Sequence, residues 1–125
     1  MNQLFEYRPV AVVGASAKPE RYSNKAIKML LDEGYRVVPV HPTLKSIEGV
    51  DVASSLAETS GIDTVTLYLN AARQTGLGDE LVKQGVRRVI FNPGTENEEL
   101  MAHLRRHDVE VVAACTLVML RTGQF

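Results

Sequence analysis

Short apolar runs alternate along the chain with segments in which apolar residues recur at helical spacing. Each run is rich in β-branched residues and is bounded by Gly, Pro or Asn, a pattern that is typical of strands. Because nearly every position within a run is apolar, rather than every second one, the pattern predicts a parallel sheet that is covered on both faces. The predicted strands are Val10–Gly14, Arg36–Val40, Thr64–Leu69, Arg87–Asn92 and Val109–Ala114, with a further edge strand at residues 49–53.

The segments between these strands carry helix signals. Strand and helix alternate, and this predicts an α/β fold with a doubly wound, mostly parallel sheet of five to six strands and helices on both faces. The last segment, CTLVMLRTGQF, is apolar and has no predicted helix. The predicted helices are Ser23–Glu33, which ends at Gly34; a short helix opened by the capping box Ser55–Glu58; Arg73–Gln84, which ends at Gly85; and a helix opened by the capping box Thr95–Glu98.

Length and composition narrow the class of protein. A chain of 125 residues is expected to form one domain, residues 1–125. Its net charge of −1 argues against a general nucleic-acid or membrane-surface binder. Cys115 is the single cysteine, so no internal disulfide can form and a cysteine-based zinc site is disfavoured. No apolar stretch approaches the roughly 18 residues of a membrane span, and we expect a cytoplasmic protein.

Small, polar and turn residues follow the predicted strands. In an open parallel sheet, ligands bind outside the carboxyl ends of the strands, so we expect these residues to converge on one crevice. Turns between strands and helices need such residues even without a ligand, and that alternative stays open. The strand ends are Gly14-Ala15-Ser16, His41-Pro42-Thr43, Leu69-Asn70, Asn92-Pro93-Gly94-Thr95 and Cys115-Thr116.

The turn after the first strand is the best candidate for holding a phosphate. Gly14 lets the backbone approach an anion closely, and the next helix offers free N–H groups and the positive end of its dipole. For Ser23 and Asn24, capping of that helix explains the residue type as well as ligand contact does. The cations and polar residues in or beside the turn are Ser16, Lys18, Arg21, Ser23, Asn24 and Lys25.

Two common nucleotide sites are disfavoured. The turn lacks the second and third glycines of G-x-G-x-x-G, and no P-loop motif occurs in the chain. The second strand ends in VPVHP, Val38–Pro42, where an NAD site has an Asp or Glu for the ribose hydroxyls. An NAD enzyme is therefore not the first interpretation of this crevice.

Three motifs together resemble a known family. They are VVGAS, the spacing P-x-R-x-S-N that begins at Pro19, and GYRVVPVHP at Gly34–Pro42. They resemble the small stand-alone CoA-binding domain proteins of bacteria and archaea, which are similar to the N-terminal domain of the succinyl-CoA synthetase α subunit. The resemblance continues through IDTVTLYLN, GVRRVIFNPGTENEE and Cys115-Thr116, although many relatives have Trp and Gln in place of Phe91 and Pro93.

The resemblance implies a Rossmann-like fold that holds coenzyme A at the carboxyl ends of the strands. It places the pyrophosphate at Gly14–Ser16 and Arg21–Asn24. It places the adenosine and its 3′-phosphate beside Val40–Lys45, which includes His41, Pro42 and Lys45. Tyr68–Asn70 would line the adenine, and Asn92–Glu96, which includes Asn92, Pro93, Gly94 and Thr95, would lie toward the pantetheine arm.

The favoured function is a non-catalytic module that binds CoA or acyl-CoA. The synthetase's ligase domain with its phosphorylated histidine has no counterpart here, and a catalytic pair of Cys115 with His41 is disfavoured because a lone cysteine is usually inert. His103 and His107 share a helix face without completing a metal motif. An NAD(P)-dependent oxidoreductase and a regulatory subunit that docks on an acyl-CoA enzyme stay as alternatives. The apolar Thr116–Leu120 is expected to be buried, more readily in a homodimer than on its own chain.

Overall fold

The computed structural model describes residues 8–125, and seven strands lie within them. Five of these strands form a parallel sheet in the order β2-β1-β5-β6-β7, while β3 and β4 pair as a small antiparallel hairpin. The strands are β1 (Val10–Val13), β2 (Val37–Val40), β3 (Ser46–Ile47), β4 (Val50–Asp51), β5 (Thr64–Leu67), β6 (Arg88–Phe91) and β7 (Glu110–Ala113). The fully parallel pairing confirms the sheet type that the continuous apolar runs predict.

Helices cover the two faces of the sheet in pairs. Apolar residues of α1 and α4 pack on one face, and those of α2 and α3 pack on the other. The doubly wound α/β architecture with helices on both faces is therefore confirmed. The helices are α1 (Tyr22–Asp32), α2 (Leu77–Lys83), α3 (Glu98–Arg106) and α4 (Thr116–Arg121), with 3₁₀ turns at Leu56–Glu58 and Ala71–Arg73.

Residues 49–53 do not add an edge strand to the main sheet. Only Ala53 bridges to the edge strand β2, at Val40, while the residues before it form the β3–β4 hairpin. One cause is Pro39, whose position faces the open edge of β2: its carbonyl accepts from the N–H of Ala53, but it has no N–H to donate. The prediction that residues 49–53 add an edge strand to the main sheet was therefore wrong, because Val50–Asp51 pair with β3 instead.

The predicted glycines mark the carboxyl ends of helices correctly, whereas the predicted capping residues do not cap the amino ends. Gly34 and Gly85 have φ of 87° and 69° and follow the ends of α1 and α2. The predicted helix Arg73–Gln84 is divided, because Gly76 has φ of 78° between the 3₁₀ turn and α2. Its residues before Leu77 therefore belong to the connection from β5.

Neither predicted capping box forms. Ser55 makes no side-chain cap, and the segment after it is a 3₁₀ turn. Helix α3 is capped by Asn97, whose side-chain oxygen accepts from the N–H of Leu100 at 3.1 Å. The hydroxyl of Thr95 donates instead to the carbonyl of Asn92 at 2.7 Å, so Thr95 lies before the helix.

The apolar end of the chain forms a helix, which the sequence pattern did not predict. In α4, Leu117, Met119 and Leu120 are buried while Val118 is 52% exposed, and Leu120 packs with apolar residues of α1. The segment is therefore covered by its own chain. This removes the reason for favouring a homodimer through it, and the homodimer itself stays a prediction.

An ion-pair cluster closes the opposite end of the sheet, at the amino ends of the strands. Asp63 accepts from Arg87 at 2.9 Å and from Arg8 at 3.0 Å. Burial raises the pKa of Asp63, but hydrogen bonds from Arg87, Thr64 and Arg8 lower it by more, to about 2. The carboxylate thus stabilises the fold in its charged form.

Candidate functional site

A crevice of about 990 Å³ lies at the carboxyl ends of β1, β2 and β5. It is at the point where the chain, having added β2 on one side of β1, adds β5 on the other side. Such a switch point is where open α/β sheets bind their ligands. Its walls are the turn after β1, the start of α1, the loop after β2, residues 54–56, the end of β5, and Arg73 with α2.

The single glycine of the opening turn is required by the neighbouring strand. Gly14 has φ of 88°, and a Cβ placed there would lie 3.1 Å from the carbonyl carbon of Tyr68 and 3.2 Å from the nitrogen of Leu69. The turn can cross the end of β5 only without a side chain at this position. Gly14 therefore brings the backbone of the turn into the crevice.

The amino end of α1 faces the crevice without a side-chain cap. Its first intrahelical hydrogen bond is from Lys25 N–H to Arg21 carbonyl, so the N–H groups before Lys25 have no acceptor within the helix. Arg21, at the N-cap position, makes no capping hydrogen bond, and the first turn contains no acid. Since Ser23 lines the crevice, this end offers an anion both N–H donors and the positive end of a dipole.

Asn24 stabilises the turn between β1 and α1 through its buried side chain. It is fully buried, and its side-chain nitrogen donates to the Ser16 carbonyl at 2.9 Å and to the Glu48 carboxylate at 3.3 Å. Asn24 does not line the crevice and does not cap α1. The structure thus gives Asn24 a role in positioning the turn, whereas Ser16 and Ser23 line the crevice directly.

His41 organises the loop after β2. Its Nδ1 atom accepts hydrogen bonds from the backbone N–H groups of Thr43 and Leu44, both at 3.1 Å. Because Nδ1 accepts, the ring proton of the neutral imidazole is on Nε2, which is left as a donor. His41 and Pro42 both line the crevice.

Tyr68 lines the crevice at the end of β5. Its hydroxyl is buried and meets hydrogen-bond geometry with no described residue. Burial raises the pKa of Tyr68 to about 12, although the hydroxyls of Thr66 and Thr116 lie near enough to lower it. The phenol is therefore neutral at physiological pH, and Tyr68 also packs against the core cluster on the α1 side of the sheet.

The crevice is electropositive in a chain whose net charge is −1. Its lining includes four cations and two acids, and Lys25 also lies 5.5 Å from the centre of the Tyr22 ring. Such an excess of positive charge favours anionic ligands. The cations are Lys18, Arg21, Lys25 and Arg73, and the acids are Glu20 and Glu80.

Lys45 and Asn70 do not reach the crevice. Lys45 lines a separate groove beside β2, and its carbonyl accepts from the N–H of Val52. Asn70 caps the 3₁₀ turn after β5, where its side-chain oxygen accepts from Arg73 N–H at 3.2 Å. The structure therefore does not bring these two predicted residues together with the others.

The loop after β6 is also outside the crevice lining. Asn92 is buried, and its side chain donates to Thr66 at 2.7 Å and to the Leu67 carbonyl at 2.9 Å while accepting from Thr116 N–H at 2.8 Å. The amide is thus used in joining β5, β6 and α4. Pro93, Gly94 and Thr95 follow it, and neither they nor Asn92 line the crevice.

Within residues 8–125, Arg73 is the one cation in the crevice lining that the sequence analysis did not predict. The pattern places it at the start of a predicted helix, whereas the structure places it in a 3₁₀ turn at the crevice wall. Arg73 lies four residues after Leu69, which ends a predicted strand, and this short distance from a strand end was the sequence signal that could have identified it. Ser54, Ser55 and Leu56 were missed because the hairpin that leads into them carries no strong pattern.

The other candidates for chemistry lie elsewhere. Cys115 immediately precedes α4 and does not line the crevice with His41. Within residues 8–125, no group of three His, Cys, Asp or Glu side chains is arranged to hold a metal ion. None of the helices in that same range is long and apolar enough to cross a membrane.

Comparison with known proteins finds both a matching family model and a similar relative. Residues 8–121 match the family model described as a CoA binding domain. YneT of Bacillus subtilis (strain 168), described as an uncharacterized protein, is 33% identical over 104 residues, which are 82% of this chain and 77% of YneT.

Solved structures share the fold over nearly the whole chain. A crystal structure of an uncharacterized protein has a TM-score of 0.89 and 36% identity and covers 95% of this chain and 98% of its own. A hypothetical protein from Pyrococcus horikoshii OT3 has a TM-score of 0.86 and 30% identity, covering 97% of this chain and 86% of its own. The family model spans all the elements that build the crevice, and the chain belongs to the CoA binding domain family.

Proposed function

We propose that this protein is a non-catalytic module that binds coenzyme A or an acyl-CoA in the crevice at the switch point of the sheet. The pyrophosphate lies at the Gly14 turn and at the amino end of α1. The observation that carries the proposal is the uncapped start of α1, which faces an electropositive crevice in a chain of the CoA binding domain family.

The lining residues fit the parts of such a ligand. A pyrophosphate needs N–H donors and cations, and the start of α1 supplies both, with Arg21 at its N-cap and Ser16 nearby. A flat base needs apolar surface, and Leu56, Leu69, Leu77 and Pro42 supply it in the same crevice.

The fit to NAD is poorer. The end of β2 presents Val40, His41 and Pro42 to the crevice, and no acid is available there for the ribose hydroxyls. Because His41 has its Nδ1 atom committed to the loop, it can offer only the Nε2 donor. A phosphate accepts such a donor well, whereas a ribose hydroxyl pair needs an acceptor.

Isothermal titration of the full chain with CoA and with NAD tests this function. We expect CoA to bind at least tenfold more tightly than NAD. Arg21→Ala should lower CoA affinity by about tenfold, because an exposed charge-assisted contact is worth about 1.5 kcal/mol. Arg105→Ala is the matched control, since Arg105 is an exposed residue of α3 outside the crevice.

Three results would contradict the proposal. Failure of CoA to bind would remove the function altogether. Equal affinity for CoA and NAD would return the oxidoreductase interpretation. A loss on Arg105→Ala as large as that on Arg21→Ala would place the ligand elsewhere on the surface.

A further inference from the structure

Arg73 approaches the crevice from a different side than the other cations. Lys18, Arg21 and Lys25 come from the turn before α1 and from α1 itself, which packs on one face of the sheet. Arg73 comes from the connection between β5 and α2, and α2 packs on the opposite face. The crevice therefore contains positive charge at two separate places.

The backbone at Arg73 is held firmly from both sides. Asn70 accepts from Arg73 N–H through its side chain at 3.2 Å. Gln74 is only 4% exposed, and its side-chain nitrogen donates to the carbonyls of Leu69 and Thr95 at 2.9 and 2.8 Å. Its side-chain oxygen accepts from Asn97 at 3.0 Å, so both the nitrogen and the oxygen of the buried Gln74 amide help to fix this connection.

The guanidinium of Arg73 is available for a ligand. Within residues 8–125 it makes no hydrogen bond and no ion pair, and Glu80 on the same wall does not pair with it. Leu69 and Leu77 line the crevice from the same part of the chain. An unpaired guanidinium on a firmly held backbone, beside apolar surface, suits a ligand that contains both a flat apolar group and a phosphate.

We propose that Arg73 binds the 3′-phosphate of a CoA-type ligand and is the residue by which this crevice distinguishes CoA from dephospho-CoA. The inference rests on the proposed function, since it assigns one contact within the same site. It replaces the expectation that Lys45, as part of the loop Val40–Lys45, lies beside that phosphate, because Lys45 lines a different groove. The crevice then has two anion subsites, one at the start of α1 for the pyrophosphate and one at Arg73.

Titration of four proteins with CoA and dephospho-CoA tests the inference. We expect Arg73→Ala to lower CoA affinity by about tenfold and to change dephospho-CoA affinity less than twofold, so that the preference for CoA collapses. Lys45→Ala, the matched control, should leave the preference unchanged. Arg21→Ala should lower both affinities by a similar factor, because both ligands contain the pyrophosphate.

The outcomes separate this inference from the proposed function. If Arg73→Ala weakens both ligands equally, or if Lys45→Ala collapses the preference, Arg73 does not bind the 3′-phosphate although the module still binds CoA. If the unmodified protein binds neither ligand, the proposed function fails and this inference fails with it. Thermal unfolding of each variant should match that of the unmodified protein, because Arg73 and Lys45 are not among the core residues. Arg73→Gln, which keeps most of the side-chain bulk, serves if Arg73→Ala unfolds early.

Discussion

Replacing Gly14 by alanine tests whether the opening turn is shaped by β5. Two costs are expected. The backbone at Gly14 has φ of 88°, a region that side chains disfavour by roughly 1–2 kcal/mol. The new Cβ would also lie 3.1 Å from the carbonyl carbon of Tyr68 and 3.2 Å from the nitrogen of Leu69, both of which belong to the backbone.

The second cost cannot be relieved by a side-chain rotation. Tyr68 N–H donates to the Val13 carbonyl at 2.8 Å, so the backbone that the Cβ meets is tied to β1 itself. Moving it apart would weaken the β1–β5 pairing, and we expect a further cost of about 1–2 kcal/mol. Alanine lowers the entropy of the unfolded chain and returns about 0.4–1 kcal/mol. The net destabilisation is therefore about 1–3.5 kcal/mol, with a midpoint of about 2 kcal/mol.

Gly34→Ala is the matched control for this substitution. Gly34 has φ of 87°, nearly the same as Gly14, but a Cβ placed there meets nothing within 4 Å. Gly34→Ala should therefore show the backbone cost alone, about 1 kcal/mol. In urea unfolding followed by circular dichroism, the difference between the two variants measures the contact with β5. For a chain of this length, each kcal/mol of that difference corresponds to about 4 °C in Tm.

Equal destabilisation by the two alanines would refute the reasoning, because it would mean that the turn does not depend on the close approach to β5. A second readout is CoA titration. Gly14→Ala should weaken CoA binding, because it displaces the turn that lines the crevice. Gly34 lies at the far end of α1 from the crevice, so its replacement should not change CoA affinity. Weaker binding in both variants would indicate general unfolding and would contradict a local effect.

Two further predictions concern stability. Asp63→Asn should cost about 1–2 kcal/mol at pH 7, less than the pKa shift alone implies because the guanidinium of Arg87 is half-exposed. The folded-state pKa of Asp63, about 2, lies below the usual aspartate value of 3.8, so this stability is present above about pH 4 and disappears as the pH falls toward 2. A difference in urea midpoints between the two proteins that persists at pH 2 would contradict the charged contact. Leu120→Ala should lower the free energy of unfolding by about 2 kcal/mol, because Leu120 is buried against α1. Val118→Ala, at an exposed position, should lower it by less than about 0.5 kcal/mol. Equal shifts in Tm for the two variants would show that α4 does not pack as described.

The sheet could be predicted from sequence because burial alone specifies it. Runs such as Val10–Val13 are fully buried on both faces, and the apolar positions record that burial directly. The ends of α1 and α2 were equally readable, since Gly34 and Gly85 take a backbone conformation that other residues avoid. The pattern at these positions is a direct consequence of local sterics.

The caps could not be assigned because candidates compete for the same helix. Thr95 and Asn97 lie two residues apart, and either type can cap. The direction in which the chain leaves β6 places the Thr95 hydroxyl against the Asn92 carbonyl and leaves Asn97 to accept from Leu100. Which residue caps α3 therefore depends on tertiary contacts, and a local sequence motif does not specify these.

The same limit explains why Lys45 was expected in the crevice and Arg73 was not. Position along the chain gives the distance from a strand end but not the direction in which the loop turns. After β2, His41 draws the N–H groups of Thr43 and Leu44 toward its ring, and the hairpin ties Lys45 to the segment beside the sheet edge. After β5, Gln74 and Asn70 turn the chain back over the strand end and leave Arg73 at the crevice wall. Two buried or capping amides and one imidazole, through hydrogen bonds to backbone, thus decide which cation lines the crevice. Under the proposed function, specificity for the 3′-phosphate therefore depends as much on the residues that orient each loop as on the cation that the loop carries.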